Sequence, residues 1–169
     1  MKERLEYGSR TLDDLAFLDG VTKRTLRDFV ERLKKAEGDN LAQVALFGSR
    51  ARGDFDEDSD TDVFVLLWKD VPRERYNAII DLSVDVSEES GFIKEEGIWR
   101  VDVNPFIKTV EELDEEYHNV PMWRLTLILY EIQEDGVLLY DATGYRQDGA
   151  DTVLSGEFGG NVRQREMGM

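Results

Sequence analysis

The sequence predicts an α+β domain, and three observations lead to that class. Apolar residues Leu26, Phe29, Val30 and Leu33 recur at i, i+3, i+4 and i+7, so residues 21 to 36 form an amphipathic helix ending near Gly38. Two short apolar runs, Leu41 to Phe47 and Thr61 to Trp68, have the length and the branched and aromatic content of strands buried on both faces. At 169 residues and 41% apolar composition, the chain can bury one core and is too short for two full domains.

The remaining elements follow in order. The first strand runs straight into Gly48-Ser49, and the polar stretch from Asp54 to Ser59 is a loop by composition. Pro72 suits the first turn of a helix in which Tyr76, Ile79, Ile80 and Val84 share a face, and Gly91 or Gly97 closes that unit. Arg100 to Ile107 alternates as a third strand, with Arg100, Asp102 and Asn104 on one face and Val101 and Val103 on the other. Thr109 and Glu112 have the spacing of a capping box for a short acidic helix. Val120 to Ile132 is apolar almost all round, which makes it core or a surface that meets a partner or a second copy in a homo-oligomer. Gly136 ends it, and Val137 to Tyr140 adds an edge strand. Residues 1 to 20 form an N-terminal extension in which Leu12, Leu15, Ala16 and Leu18 can make a short helix. Residues 142 to 169 hold six glycines and scattered apolar anchors, the composition of a weakly ordered tail.

Composition narrows the chemistry. With no cysteine and one histidine, His118, neither thiolate nor multi-histidine metal sites can form. No signal peptide or long apolar run is apparent, so the expectation is a soluble, cytoplasmic protein. The 37 acidic against 21 basic residues give a formal net charge of -16, which repels polyphosphate backbones and argues against long nucleic acid as a partner. Arg outnumbers Lys two to one and the acids are spread along the chain, a pattern that suits the salt-rich cytoplasm of a halophile.

One stretch carries chemistry. Residues i and i+2 of a strand project from the same face, so Asp60 and Asp62 stand side by side at the start of the second strand. Mg²⁺ prefers oxygen ligands and pairs one or two carboxylates with substrate phosphates, which is what this pair offers. Asp102, on the polar face of the third strand, is the candidate third carboxylate, and Asp85, within a helical pattern, is the reserve. Gly48 lets backbone approach a phosphate, Ser49 adds a hydroxyl and an N–H, and Arg50 and Arg52 supply local positive charge. Each feature alone has an ordinary explanation: a turn, a solvated acid, a cation neutralising Asp54 or Asp56. Their combination in one order is what singles the stretch out.

Gly48-Ser49, ten residues, then Asp60-Thr61-Asp62 resembles the Gly-Ser-x10-Asp-x-Asp signature of the DNA polymerase β-type nucleotidyltransferase superfamily, in particular its minimal nucleotidyltransferases. Arg50-Ala51-Arg52-Gly53 and Ser59 extend the similarity. The resemblance implies a small mixed β-sheet flanked by helices, with residues 21 to 141 as the nucleotidyltransferase domain. It implies Mg²⁺, a nucleoside triphosphate donor, Asp60, Asp62 and Asp102 as metal ligands, and Asp102 as the group that helps deprotonate the acceptor. Gly48, Ser49, Arg50, Arg52 and Ser59 then fall on the nucleotide side.

Many minimal nucleotidyltransferases are antitoxins paired with a HEPN toxin, and the resemblance implies transfer of AMP from ATP to a side chain of that partner. Two other readings stay open: a small-molecule, antibiotic-type nucleotidyltransferase, and a non-catalytic module that neutralises a toxin by contact alone.

Overall fold

A computed structural model describes residues 5, 7–92, 97–119 and 127–144. The described elements run α1 (Gly20–Glu37), β1 (Leu41–Phe47), α2 (Ser49–Arg52), β2 (Thr61–Leu67), α3 (Arg73–Glu89), β3 (Val103–Thr109), α4 (Val110–Asn119), α5 (Leu127–Asp135) and β4 (Val137–Asp141). The strands form one mixed sheet in the order β3-β2-β1-β4. β1 is antiparallel to both β2 and β4, whereas β2 and β3 are parallel.

Both central strands are buried along almost their whole length because both faces of the sheet are covered. Val44, Leu46, Val63, Val65 and Leu67 pack with Leu26, Phe29 and Leu33 of α1 and Ile79 and Val86 of α3. Ala42, Ala45, Phe47, Phe64 and Leu66, which point the other way, pack with Leu113 of α4 and Leu129 and Ile132 of α5. The two inward sets alternate along β2 and, beyond the irregularity between Leu41 and Gln43, along β1, and together read as a nearly continuous run.

Local chemistry sets the element ends. Asp19 starts α1 by accepting the Thr22 N–H at 2.7 Å. Glu112 N–H donates to Thr109 Oγ1 at 3.2 Å and Thr109 N–H to Glu112 Oε1 at 3.0 Å, so the capping box expected there forms in both directions. Gly136 N–H closes α5 on the Ile132 carbonyl at 2.9 Å, and β4 is the edge strand expected after it.

Several expectations shift. Pro72 precedes the first residue of α3 as its N-cap, and Glu89 ends the helix. The buried residues of α3 are Ile79, Ser83, Val86 and Ser87, while Tyr76 stays 43% exposed. Serine is accommodated in the core because its hydroxyl bonds within the helix, Ser83 Oγ to the Ile80 carbonyl and Ser87 Oγ to the Ser83 carbonyl. The third strand begins at Val103 instead of Arg100, because residues 100 to 102 approach the sheet without joining its ladder. Leu12–Asp14 forms a single 3₁₀ turn, and Leu5, Tyr7, Leu12, Leu15 and Leu18 are buried in the two core layers. Of the helix expected over Val120 to Ile132, residues 120–126 lie outside the described residues, as does the tail beyond Gly144. No helix among the described residues is long and apolar enough to cross a membrane.

Candidate active site

The sheet topology brings the motif together. Because β1 and β2 are antiparallel, the C-terminal end of β1 meets the N-terminal end of β2, and Phe47 pairs with Asp62. Because β3 is parallel to β2, its start lies at the same end, with Thr61 opposite Val103 and Asp62 opposite Asn104. Asp102 sits one residue ahead of β3, and its carbonyl accepts the Thr61 N–H at 2.8 Å. Asp60, Asp62 and Asp102 therefore share one end of the sheet, with Gly48 beside them.

Gly48 is required by geometry. Its φ of 76° lies in the left-handed region, and a Cβ there would stand 2.6 Å from Asp62 Oδ2. No other residue lets the turn pass that close to the carboxylate. The helical turn that follows, α2, spends the Ala51 and Arg52 N–H groups on the Gly48 carbonyl at 3.0 and 3.1 Å. Ser49 and Arg50, as the first residues of that turn, have no partner one turn back for their N–H groups.

The three carboxylates are electrostatically linked. Burial, opposed by a hydrogen bond from Asn104 and reinforced by the negative charges of Asp60 and Glu131, pushes the Asp62 carboxyl above the usual range. Asn104 Nδ2 donates to Asp62 Oδ1 at 3.2 Å. Burial, the charge of Asp60 and a hydrogen bond shared with it push Asp102 up as well. Asp60 is thus the common neighbour of the other two. Among the described residues, no group of three or more His, Cys, Asp or Glu is arranged to hold a metal ion, so the cluster is two interacting pairs that share Asp60. The donor chemistry nonetheless fits a hard divalent cation: all-oxygen ligands, two of them held partly out of water against like charge.

Asp102 is fixed by the C-terminal end of α3 and by Ser90, which caps it. The N–H groups on either side of it, Val101 and Val103, donate to Ser90 Oγ at 3.0 Å and Ser87 Oγ at 2.9 Å. With its own carbonyl held by Thr61, the backbone around Asp102 is pinned at three consecutive residues. Asp85, the reserve candidate, lies exposed on α3.

The cations differ from expectation. Arg50 is 7% exposed and turns away from the Gly48 turn into the following loop. Its Nη2 donates to the carbonyls of Asp56 and Ser59 at 3.2 and 3.1 Å, and its guanidinium lies 4.2 Å from the Phe55 ring centre. Ser59 Oγ bonds Asp56, accepting its N–H and donating to Oδ1, both at 3.1 Å, so it too shapes that loop. Arg52 reaches Asp54 at 3.2 Å, Asp135 at 3.4 Å and Glu131 at 3.6 Å, tying α2 to α5. Its positive charge also opposes the rise in Asp62. Arg10, given no role by the sequence, bonds the carbonyls of Ala51 and Asp135, both at 3.1 Å, and strengthens the same tie. Asn104 was visible on the Asp102 face of the third strand, but nothing in the sequence gave its register against Asp62.

A Gly-Ser turn beside carboxylates at the end of a mixed sheet is the arrangement that the sequence resemblance implies. Residues 23–125 match the nucleotidyltransferase domain family, and the chain belongs to it. Over 47 residues it is 45% identical to a candidate protein adenylyltransferase of Methanocaldococcus jannaschii, MJ0141, covering 28% of this chain and 46% of that protein. Over 71 residues it is 36% identical to a second from the same organism, MJ0604, covering 42% of this chain and 66% of that one. The matches thus span less than two thirds of either curated relative. Among solved structures, a candidate nucleotidyltransferase from Sulfolobus solfataricus is similar over 70% of this chain and 78% of its own, at 20% identity and a TM-score of 0.37. A toxin-antitoxin structure with AMP-PNP is similar over 83% and 90%, at 15% identity and a TM-score of 0.43.

Proposed function

We propose that the chain is a Mg²⁺-dependent adenylyltransferase that moves AMP from ATP onto a hydroxyl of a partner protein, with a HEPN toxin as that partner. The observation that carries this reading is the sheet end where Asp60, Asp62 and Asp102 stand beside the Gly48 turn, two of them raised by burial and like charge. The kinship with candidate protein adenylyltransferases favours a protein acceptor.

In this reading Asp60 and Asp62 would hold the divalent cation, with Asp102 coupled to them through Asp60, and the cation when bound would lower the pKa of the attacking hydroxyl and offset the charge of the triphosphate. The chain's own residues do the rest. Gly48 admits the phosphates close to the backbone, and Ser49 offers its hydroxyl and N–H to them. Asp102 accepts the proton of the acceptor hydroxyl. The hydroxyl oxygen then bonds to the α-phosphorus while the bond to the β-phosphate bridging oxygen breaks, and pyrophosphate departs. Arg50 and Ser59 shape the loop leading to Asp60, and Arg52 holds the turn against α5.

Transfer of label from [α-³²P]ATP to the co-expressed partner tests the proposal. Label on the partner with the wild-type chain and none with Asp60→Asn or Asp62→Asn is expected. Undiminished labelling by both variants would overturn it.

A further inference from the structure

Asp62 has an uncharged neighbour beside each carboxylate oxygen. Asn104 Nδ2 donates to Oδ1 at 3.2 Å, and Oδ2 lies against Gly48, where a Cβ would come within 2.6 Å. The Asn104 contact follows from the parallel β2–β3 register, which sets Asn104 opposite Asp62 and two residues beyond Asp102. A carboxylate on a strand end rotates about its last torsion unless something stops it. Here the amide donor on Oδ1 restrains that rotation, and the missing side chain at Gly48 leaves room for Oδ2.

The residue type at this position matters. A Lys or Arg beside Asp62 would neutralise it and compete with a bound cation. An acid would add a like charge to a cluster that already holds three carboxylates. An amide gives direction without charge, which is the role of the neighbours that orient metal-ligating side chains.

We infer that Asn104 is a positioning residue that fixes the Asp62 carboxylate for ligation of a divalent cation. This rests on the proposed function, because it presupposes that Asp62 is a ligand. It assigns to a polar strand residue a role beyond the signature acids.

Mn²⁺ titration of the full chain with a non-hydrolysable ATP analogue, read by the electron paramagnetic signal of free Mn²⁺, tests it. Asn104→Leu keeps the branched skeleton and removes the donor, and it is expected to weaken Mn²⁺ binding about tenfold or more. Asn104→Gln retains an amide on a longer stem and is expected to recover part of that loss. The KM for the nucleotide should move much less than the half-saturating Mn²⁺ concentration, a split that general loosening of β3 would not produce. Wild-type binding retained in full by Asn104→Leu would overturn the assignment alone. Absence of Mn²⁺ binding by the wild type would overturn the functional reading and this assignment with it.

Discussion

The two ends of the central strands use carboxylates in opposite ways. Beyond the Leu41 end of β1, where α1 ends and α3 and α4 begin, acids are matched to structural partners: Glu37 is buried and receives two hydrogen bonds from Arg75, and Glu112 caps α4. At the Gly48 end, Asp62 and Asp102 are pushed up by burial and by the charge of Asp60. Acids at the first end stabilise the fold, whereas those at the second cost stability until something positive arrives. The difference is the ground for the proposed site: partly buried carboxylates raised by like charge cluster at functional sites more than elsewhere.

Substitutions can break this contrast. The largest expected effect is at Asp62. Asp62→Asn should cut AMP transfer about a thousandfold or more, removing several kcal/mol of electrostatic stabilisation in the transition state, while leaving the protein folded. Gly48→Ala comes next, because a side chain at φ 76° meets Asp62 Oδ2. Strain of about 1–3 kcal/mol in chemical unfolding and a roughly hundredfold loss of transfer are expected as the carboxylate is displaced. Ser87→Ala leaves the buried Val103 N–H without its acceptor. Its expected cost is about 1–3 kcal/mol in urea unfolding, with a smaller loss of activity as the backbone at Asp102 loosens.

The smallest effect sharpens the comparison through pH. An acid whose folded pKa lies above its ordinary value of 3.8 binds more protons in the folded state, so it lowers stability as pH rises from that value through the folded pKa. Below that window Asp62 and Asp102 are neutral in both states and cost nothing. Subtracting the pH–stability curve of Asp62→Asn from that of the wild type should therefore show a wild-type deficit that grows across this window and then levels off. A curve in which the wild type gains stability over the same window would place Asp62 with the structural acids instead.

Much of this contrast was legible in the sequence because strand signals there are strong. Leu41 to Phe47 is a strand as its apolar content predicts, and the run expected from Thr61 to Trp68 is a strand from Thr61 to Leu67, so Asp62 lies near its start and Asp60 just ahead of it. The capping box at Thr109 was readable because both partners lie within four residues. What escaped depends on contacts distant in sequence. Arg50 looks like a free cation until Phe55 and the loop carbonyls fold over it. The serines of α3 look like surface residues until Val101 and Val103 donate to them. Asn104 became a neighbour of Asp62 only when β3 took its register, and the shift of that strand to Val103 is what placed Asp102 just outside the ladder.

The central claim is that the Gly48 end of the sheet holds carboxylates whose mutual cost a cation and nucleotide offset. Thermal unfolding of the wild type and Asp62→Asn, each with chelator alone and with Mg²⁺ plus a non-hydrolysable ATP analogue, tests it most directly. The account predicts a crossover: the variant melts higher in chelator, and the wild type melts higher when cation and nucleotide are present. A variant that melts below the wild type in chelator, with no gap added by Mg²⁺ and nucleotide, would contradict it.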